Sequence, residues 1–198
     1  MDILIIVYAV LSYLIGSIPS GLIIGKFFFN TDVRQYGSKN IGATNTYRVI
    51  GLKAALPVFL CDALKGAAGV VLLSSYGPMY IILGGILAMM GHNWSIFLGF
   101  KGGRGVATGL GVLIALSPLV ALLCFLVWGI IVYFTKLVSL GSIVAAALVP
   151  VLMYVTGESY WFVGFGGLAA LFVIVRHWDN IKRLLAGNEL KVERIKKD

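Results

Sequence analysis

Residues 105–135 read GVATGLGVLIALSPLVALLCFLVWGIIVYFT, an apolar run with no charged side chain and a single Ser-Pro step at 117–118. One helix of that length would rise about 46 Å at 1.5 Å per residue. The hydrocarbon layer of a bilayer is only about 30 Å thick. Two shorter spans, 105–116 and 118–134, meeting in a tight turn at Ser117-Pro118, fit better, the first half-buried or tilted. Whether the chain crosses here once or twice sets the side of every later loop.

The rest of the chain has the same character. Its 198 residues are 60% hydrophobic and 12% charged, about half the charge of an ordinary soluble domain. Apolar runs at 3–25, 54–76, 78–98, 137–155 and 160–175 join the two above. They predict an all-α integral membrane protein, a compact bundle of about seven transmembrane helices forming one domain over 1–198. In the first run, Gly16 to Gly21 brackets Pro19, and Gly21 and Gly25 have the small-xxx-small spacing that lets helices pack closely; Pro19 is a point of kinking. The start, Met1-Asp2 followed at once by a long apolar run, lacks the basic region and cleavage site of a signal peptide. Cys61 and Cys124 both fall within apolar runs and read as buried free thiols.

The sixteen Lys and Arg test the count. Five lie in the 26–53 loop, two at 101 and 104, one at 136 and seven from 176 onward, leaving only Lys65 inside a span. The turns near 77, 117 and 158 carry none. With two crossings between Arg104 and Lys136, every basic segment falls on one side, and the positive-inside rule makes that side cytoplasmic. The N-terminus is then outside, and loop 26–53 and tail 176–198 are cytoplasmic.

The polar clusters gather on that same side. Lys101-Gly102-Gly103-Arg104-Gly105 places two cations and three glycines at the mouth of a helix, where backbone N–H groups and positive charge suit a phosphate. A Gly-rich turn with interfacial anchors is the other reading, and the stretch is not the nucleotide P-loop pattern. The 26–53 loop centres on Gly37-Ser38-Lys39-Asn40-Ile41-Gly42-Ala43-Thr44-Asn45, followed by Arg48. It is either a solvated loop or an ordered one folding over a polar site; Asn40, Thr44 and Asn45 supply its hydrogen-bonding side chains. His92-Asn93 closes the third run, and Ser139 and Ser142 open the 137–155 run. Asp62 and Lys65, three apart, share a helix face and can pair, as fold support or as site support. In helical geometry His177 and Asn180 lie one turn apart, so His177 can serve as a general base or hydrogen-bond a hydroxyl, if it is not an interfacial anchor.

Three segments, GSKNIGATNTYR at 37–48, GHNWSIFLGFKGGRGVAT at 91–108 and RHWDNIKRLLAGNE at 176–189, together resemble the motif regions of the bacterial PlsY family. These are integral-membrane acyl-phosphate:glycerol-3-phosphate acyltransferases, and the likeness covers essentially the whole chain. It implies transfer of a fatty acyl group from acyl phosphate to the 1-hydroxyl of glycerol 3-phosphate, giving lysophosphatidic acid and phosphate. The resemblance assigns Ser38 and Arg48 to the first active region, and Gly102, Gly103 and Gly105 to a glycerol-phosphate-binding loop. It makes His177 and Asn180 important for catalysis and Glu189 structural. Charge and hydrogen-bonding capacity add Asn45, Lys101 and Arg104 as substrate-binding candidates. Asn40, Thr44, Lys65, His92 and Ser142 form an outer group of candidates.

The expected partners are glycerol 3-phosphate, acyl phosphate and membrane lipid, with no nucleic acid, no metal and no cofactor. The expected location is the bacterial cytoplasmic (inner) membrane, with the active site on the cytoplasmic side. The soluble-type acyltransferase pattern H-x-x-x-x-D is absent, since Phe97 and Lys182 stand five residues after the two histidines; with it goes the main reason to expect an acyl-CoA donor. No D-x-x-D-G cluster of metal-dependent alcohol phosphotransferases occurs. The competing class is a small anion transporter or channel, but no internal repeat is visible and polar residues crowd one side. A structural membrane protein would have no need of His177 or the Gly-Gly-Arg-Gly turn.

Overall fold

The computed structural model describes residues 2–195. All regular structure among them is helical. The chain forms two compact units. The first runs to Val112 and takes back the tail from Val192; the second is Leu113–Lys191.

In the first unit, α1 (Ile3–Ser17) and α2 (Ser20–Phe29) meet at a 46° bend. Pro19 causes it: proline has no N–H to donate into the preceding turn and its ring crowds that turn. The helix then runs on to Phe29, four residues past the expected boundary, and ends at Asn30 in the left-handed conformation. Gly21 and Gly25 do not serve a helix pair. A Cβ on Gly21 would collide with the Ile41 carbonyl and one on Gly25 with that of Thr31, so these glycines let the following loop fold back on α2. That loop is not structureless, because it contains α3 (Ala43–Val49).

Helix α4 (Leu52–Leu72) is the spine of this unit, packed against α1, α2, α3 and α5 (Pro78–Asn93). It begins two residues earlier than its apolar run suggests and gives way to a 3-10 turn, Ser74–Tyr76, at its far end. The apolar span Pro78–Leu98 has the expected bounds, built from α5 to Asn93 and a 3-10 turn, Ile96–Leu98. Leu56, Leu60, Leu64 and Val71 on α4 are exposed, as an outer face meeting lipid requires. Cys61 is exposed on α4 as well, contrary to the expectation that both thiols are buried, whereas Cys124 is buried.

The Ser117-Pro118 step divides the long apolar run as expected: α6 (Val106–Leu116) ends before it, and α7 (Pro118–Thr135) opens with proline at its first position, where the missing N–H costs nothing. At 11 residues α6 rises about 16 Å. In the second unit α7 packs on α8 (Val138–Val155), and α8 on α9 (Tyr160–Arg176). A 61° break at His177 leads into α10 (Trp178–Leu185). Among the described residues, four helices are individually long and apolar enough to cross a bilayer, or up to six spans if each bent pair counts as one; α6 is a shorter apolar helix.

Candidate functional site

The motif residues of the first unit sit on two loops. In the first, Asn45 does the organising. Its Oδ1 accepts the Ser38 N–H (2.9 Å), while its amide nitrogen reaches the carbonyls of Val33 (2.8 Å), Tyr36 (3.2 Å) and Asn40 (2.9 Å). One buried side chain thus fixes the turn that carries Ser38. Gly37 (φ +59°) is obligatory beside it, since a Cβ there would fall on Asn45 Oδ1. Asn40 accepts the Gly42 N–H through its own Oδ1 (2.9 Å), stabilising the entry to α3. Thr44 and Arg48 ride on α3; Arg48 is buried, and its carbonyl accepts the Ile195 N–H (2.9 Å) from the returning tail. At the edge of this loop Arg34 grips Asp32 with two hydrogen bonds (3.0 and 2.8 Å), and Lys26 lies 3.3 Å away. The Arg34 guanidinium, helped by its backbone N–H and by Lys26, holds the Asp32 carboxyl well below the usual carboxylate range.

The second loop is seated on His92-Asn93. The Gly103 N–H donates to the His92 carbonyl (3.0 Å). Added Cβ atoms show how tight the seat is: at Gly102 one would strike the carbonyls of His92 and Asn93, and at Gly103 the His92 ring. At Gly105 (φ +78°) it would press on Asn93 Oδ1. The glycines therefore let the backbone lie directly on the end of α5. Arg104 is half-buried and Lys101 exposed on the same loop. His92 and Asn93 are buried. Beneath them, Asp62 Oδ1 stands 2.8 Å from Lys65 Nζ and 3.7 Å from His92 Nδ1. Lys65 also donates to the Ile18 carbonyl (2.9 Å).

In the second unit the hub is Glu189, whose carboxylate is 4% exposed. It accepts from Asn180 Nδ2 (2.6 Å), Ser139 Oγ (2.9 Å) and Arg183 Nε (2.8 Å). Ser142 Oγ donates back to the Val138 carbonyl of its own helix (2.8 Å). His177 is buried at the α9–α10 break with Nδ1 2.7 Å from the Val173 carbonyl. A carbonyl only accepts, so in the neutral ring Nδ1 carries the proton and Nε2 is the basic nitrogen.

Each unit thus gathers its own part of the candidate set: Ser38, Asn40, Thr44, Asn45 and Arg48 on one loop; Lys65, His92 and residues 101–105 around another; Ser142, His177 and Asn180 in the second unit. The role of Asn45 as the keystone of its loop was not visible in the sequence, and for Glu189, given a structural role by the resemblance, only the partners Asn180, Ser139 and Arg183 were not.

Residues 6–187 match the family model described as glycerol-3-phosphate acyltransferase. A glycerol-3-phosphate acyltransferase from Fusobacterium nucleatum is 45% identical over 93% of this chain and 96% of its own length. Glycerol-3-phosphate acyltransferase 2 of Moorella thermoacetica is 49% identical over 92% and 95%. Among solved structures, a crystal structure of PlsY, an integral membrane glycerol 3-phosphate acyltransferase, in its glycerol 3-phosphate form superposes with a TM-score of 0.90. It is 38% identical, with 94% of each chain covered. The lysophosphatidic acid form of PlsY gives 0.87 at 37% identity.

Proposed function

The chain belongs to the glycerol-3-phosphate acyltransferase family of integral, multi-pass membrane proteins, and on that footing we propose that it uses acyl phosphate as donor and makes 1-acyl-glycerol 3-phosphate. The 1-hydroxyl oxygen of glycerol 3-phosphate bonds to the acyl carbon, the bond from that carbon to the phosphate oxygen breaks, and inorganic phosphate leaves. The hydroxyl proton passes to a base. An acyl phosphate is already activated, so no acyl-enzyme is needed. What remains is to hold two anions, stabilise the oxyanion and take one proton.

The observation that carries this reading is the Gly102–Gly105 backbone seated on His92-Asn93, with Lys101 and Arg104 on the same short loop. A tightly seated glycine turn flanked by an exposed Lys101 and a half-buried Arg104 suits a phosphate ester. Ser38 and Arg48 serve the acyl phosphate or the oxyanion. His177, with Nε2 as its basic nitrogen, takes the hydroxyl proton, and Asn180 orients the acceptor. Asn45 acts by holding Ser38. In this proposal the protein crosses the bacterial cytoplasmic membrane seven times, each bent pair and α6 counting as one crossing, with its N-terminus outside and its chemistry on the cytoplasmic side.

The donor is the decisive point. Membrane vesicles carrying the protein would be given labelled glycerol 3-phosphate with palmitoyl phosphate, palmitoyl-CoA or palmitoyl-acyl-carrier protein. Labelled lysophosphatidate from the acyl phosphate alone is expected. Product from a thioester in the absence of acyl phosphate would overturn the donor assignment and leave the acceptor.

A further inference from the structure

One turn of α4 meets three other elements, and none of its charged groups is used in the reaction above. Asp62 and Lys65 are both nearly fully buried, with side chains 3% and 5% exposed. Lys65 delivers its ammonium to the Ile18 carbonyl, at the point where Pro19 breaks α1 from α2. That carbonyl lies at the negative end of the α1 dipole, where a cation is favoured. Asp62 faces both Lys65 and the His92 ring. The next residue, Gly66, comes so close to α6 that a Cβ would strike the Thr108 carbonyl, only three residues beyond the glycine loop. His92 in turn seats that loop with its carbonyl, on Gly103 N–H, and with its ring. Ile18, Lys65, Asp62, His92 and Gly103 thus lie in one series, hydrogen-bonded or ion-paired at each step except Asp62 to His92, where the 3.7 Å separation is a close approach of a carboxylate to the ring.

Charge inside a membrane span is costly, and well-packed apolar residues can replace a buried ion pair without loss of stability, sometimes with a gain. Holding the helices together therefore does not by itself require this pair. We infer that Asp62 and Lys65 are positioning residues for the glycine-rich loop. Through His92 they fix where Gly102–Gly105 presents its backbone, and through Ile18 they tie that placement to the α1–α2 bend. The inference rests on the reading of this loop as the glycerol 3-phosphate site. Neither side chain touches substrate, so the defect of a variant appears in the use of glycerol 3-phosphate.

The test compares wild type with the double variant Asp62→Asn/Lys65→Met, which removes both charges together and strands neither, and with the charge-keeping Asp62→Glu. Melting in detergent and the KM for each substrate are measured. For the double variant the expected result is wild-type melting, a KM for glycerol 3-phosphate raised tenfold to about a hundredfold, and an unchanged KM for acyl phosphate. Asp62→Glu should fall between the two. A folded double variant with wild-type KM for glycerol 3-phosphate would overturn the inference. So would failure of both variants to fold, which would assign the pair to assembly alone. Wild-type protein that does not use glycerol 3-phosphate at all would refute the functional reading instead, and it is assayed first.

Discussion

Replacing Glu189 tests whether Asn180 is held in place or merely lies near an acid. In Glu189→Ala three donors lose their acceptor: Asn180 Nδ2, Ser139 Oγ and Arg183 Nε. The Arg183 side chain is 34% exposed and can turn to water, so its loss counts for little. Asn180 and Ser139 are buried and cannot. A stranded buried donor costs about 1–3 kcal/mol, and the two share one partner, so their costs do not simply add. A destabilisation of roughly 2–4 kcal/mol follows, or about 10 °C in melting temperature on the scale of soluble proteins of this size. Glu189→Gln keeps one oxygen for Asn180 and Ser139 and turns its amide toward Arg183. It should lose less than half as much. The assay is thermal unfolding in detergent beside initial rates at saturating substrates, with the Ala variant well below the Gln variant in both. An Ala variant with the melting temperature and rate of wild type would show that the carboxylate anchors nothing.

Gly103→Ala should keep the fold and lose at least about a hundredfold in kcat/KM, because its Cβ lands on the His92 ring and the loop must shift; steady-state kinetics on protein of verified melting temperature checks this. Asn45→Asp keeps an acceptor for Ser38 N–H but turns an oxygen toward the carbonyls of Val33, Tyr36 and Asn40. Its loop should be cut by trypsin at Lys39 several times faster than wild type, with activity falling in parallel. His177→Gln retains a hydrogen-bonding group without basicity, and single-turnover rates should drop to the background level; substantial residual turnover would move the base to the substrate's own phosphate. Asp32 supplies a pH dependence. Its carboxyl is depressed by Arg34 and Lys26 in the folded state, so its stabilisation is complete above the unfolded value near 4 and is lost as pH falls through the lower folded value. The melting gap between wild type and Asp32→Asn should therefore be constant from pH 6 to 8 and shrink in acid below about pH 4.

Much of the fold was legible because lipid imposes few patterns. The apolar runs, the Ser117-Pro118 step and the kink at Pro19 all appear in the helices, since hydrophobic length and proline chemistry act locally. The Asp62–Lys65 pair also follows from spacing alone. Detail within the spans did not: 78–98 has the expected bounds, but hydropathy carries no trace of the break at Asn93, whose neighbour His92 seats the glycine loop, or of α2 running on to Phe29. Gly21 and Gly25 obey a helix-pairing pattern yet face a loop, because the spacing marks only a flat surface and not what covers it. The candidate site was legible only as residue types gathered in three motifs. Asn45 shows where such reading stops. Its amide advertises hydrogen bonds, and the structure uses both of its polar atoms on neighbouring backbone. Cys61, on a helix face open to lipid, shows that apolar surroundings in sequence do not mean burial.

The central claim is acyl transfer from acyl phosphate to glycerol 3-phosphate, and its most direct measure is stoichiometry. Purified protein in detergent would be given palmitoyl phosphate, with phosphate and lysophosphatidate followed in the same sample, with and without glycerol 3-phosphate. One phosphate released for each lysophosphatidate formed, and almost none without the acceptor, is the expected result. Phosphate release that ignores glycerol 3-phosphate, or acceptor left unacylated by folded protein, would contradict the account.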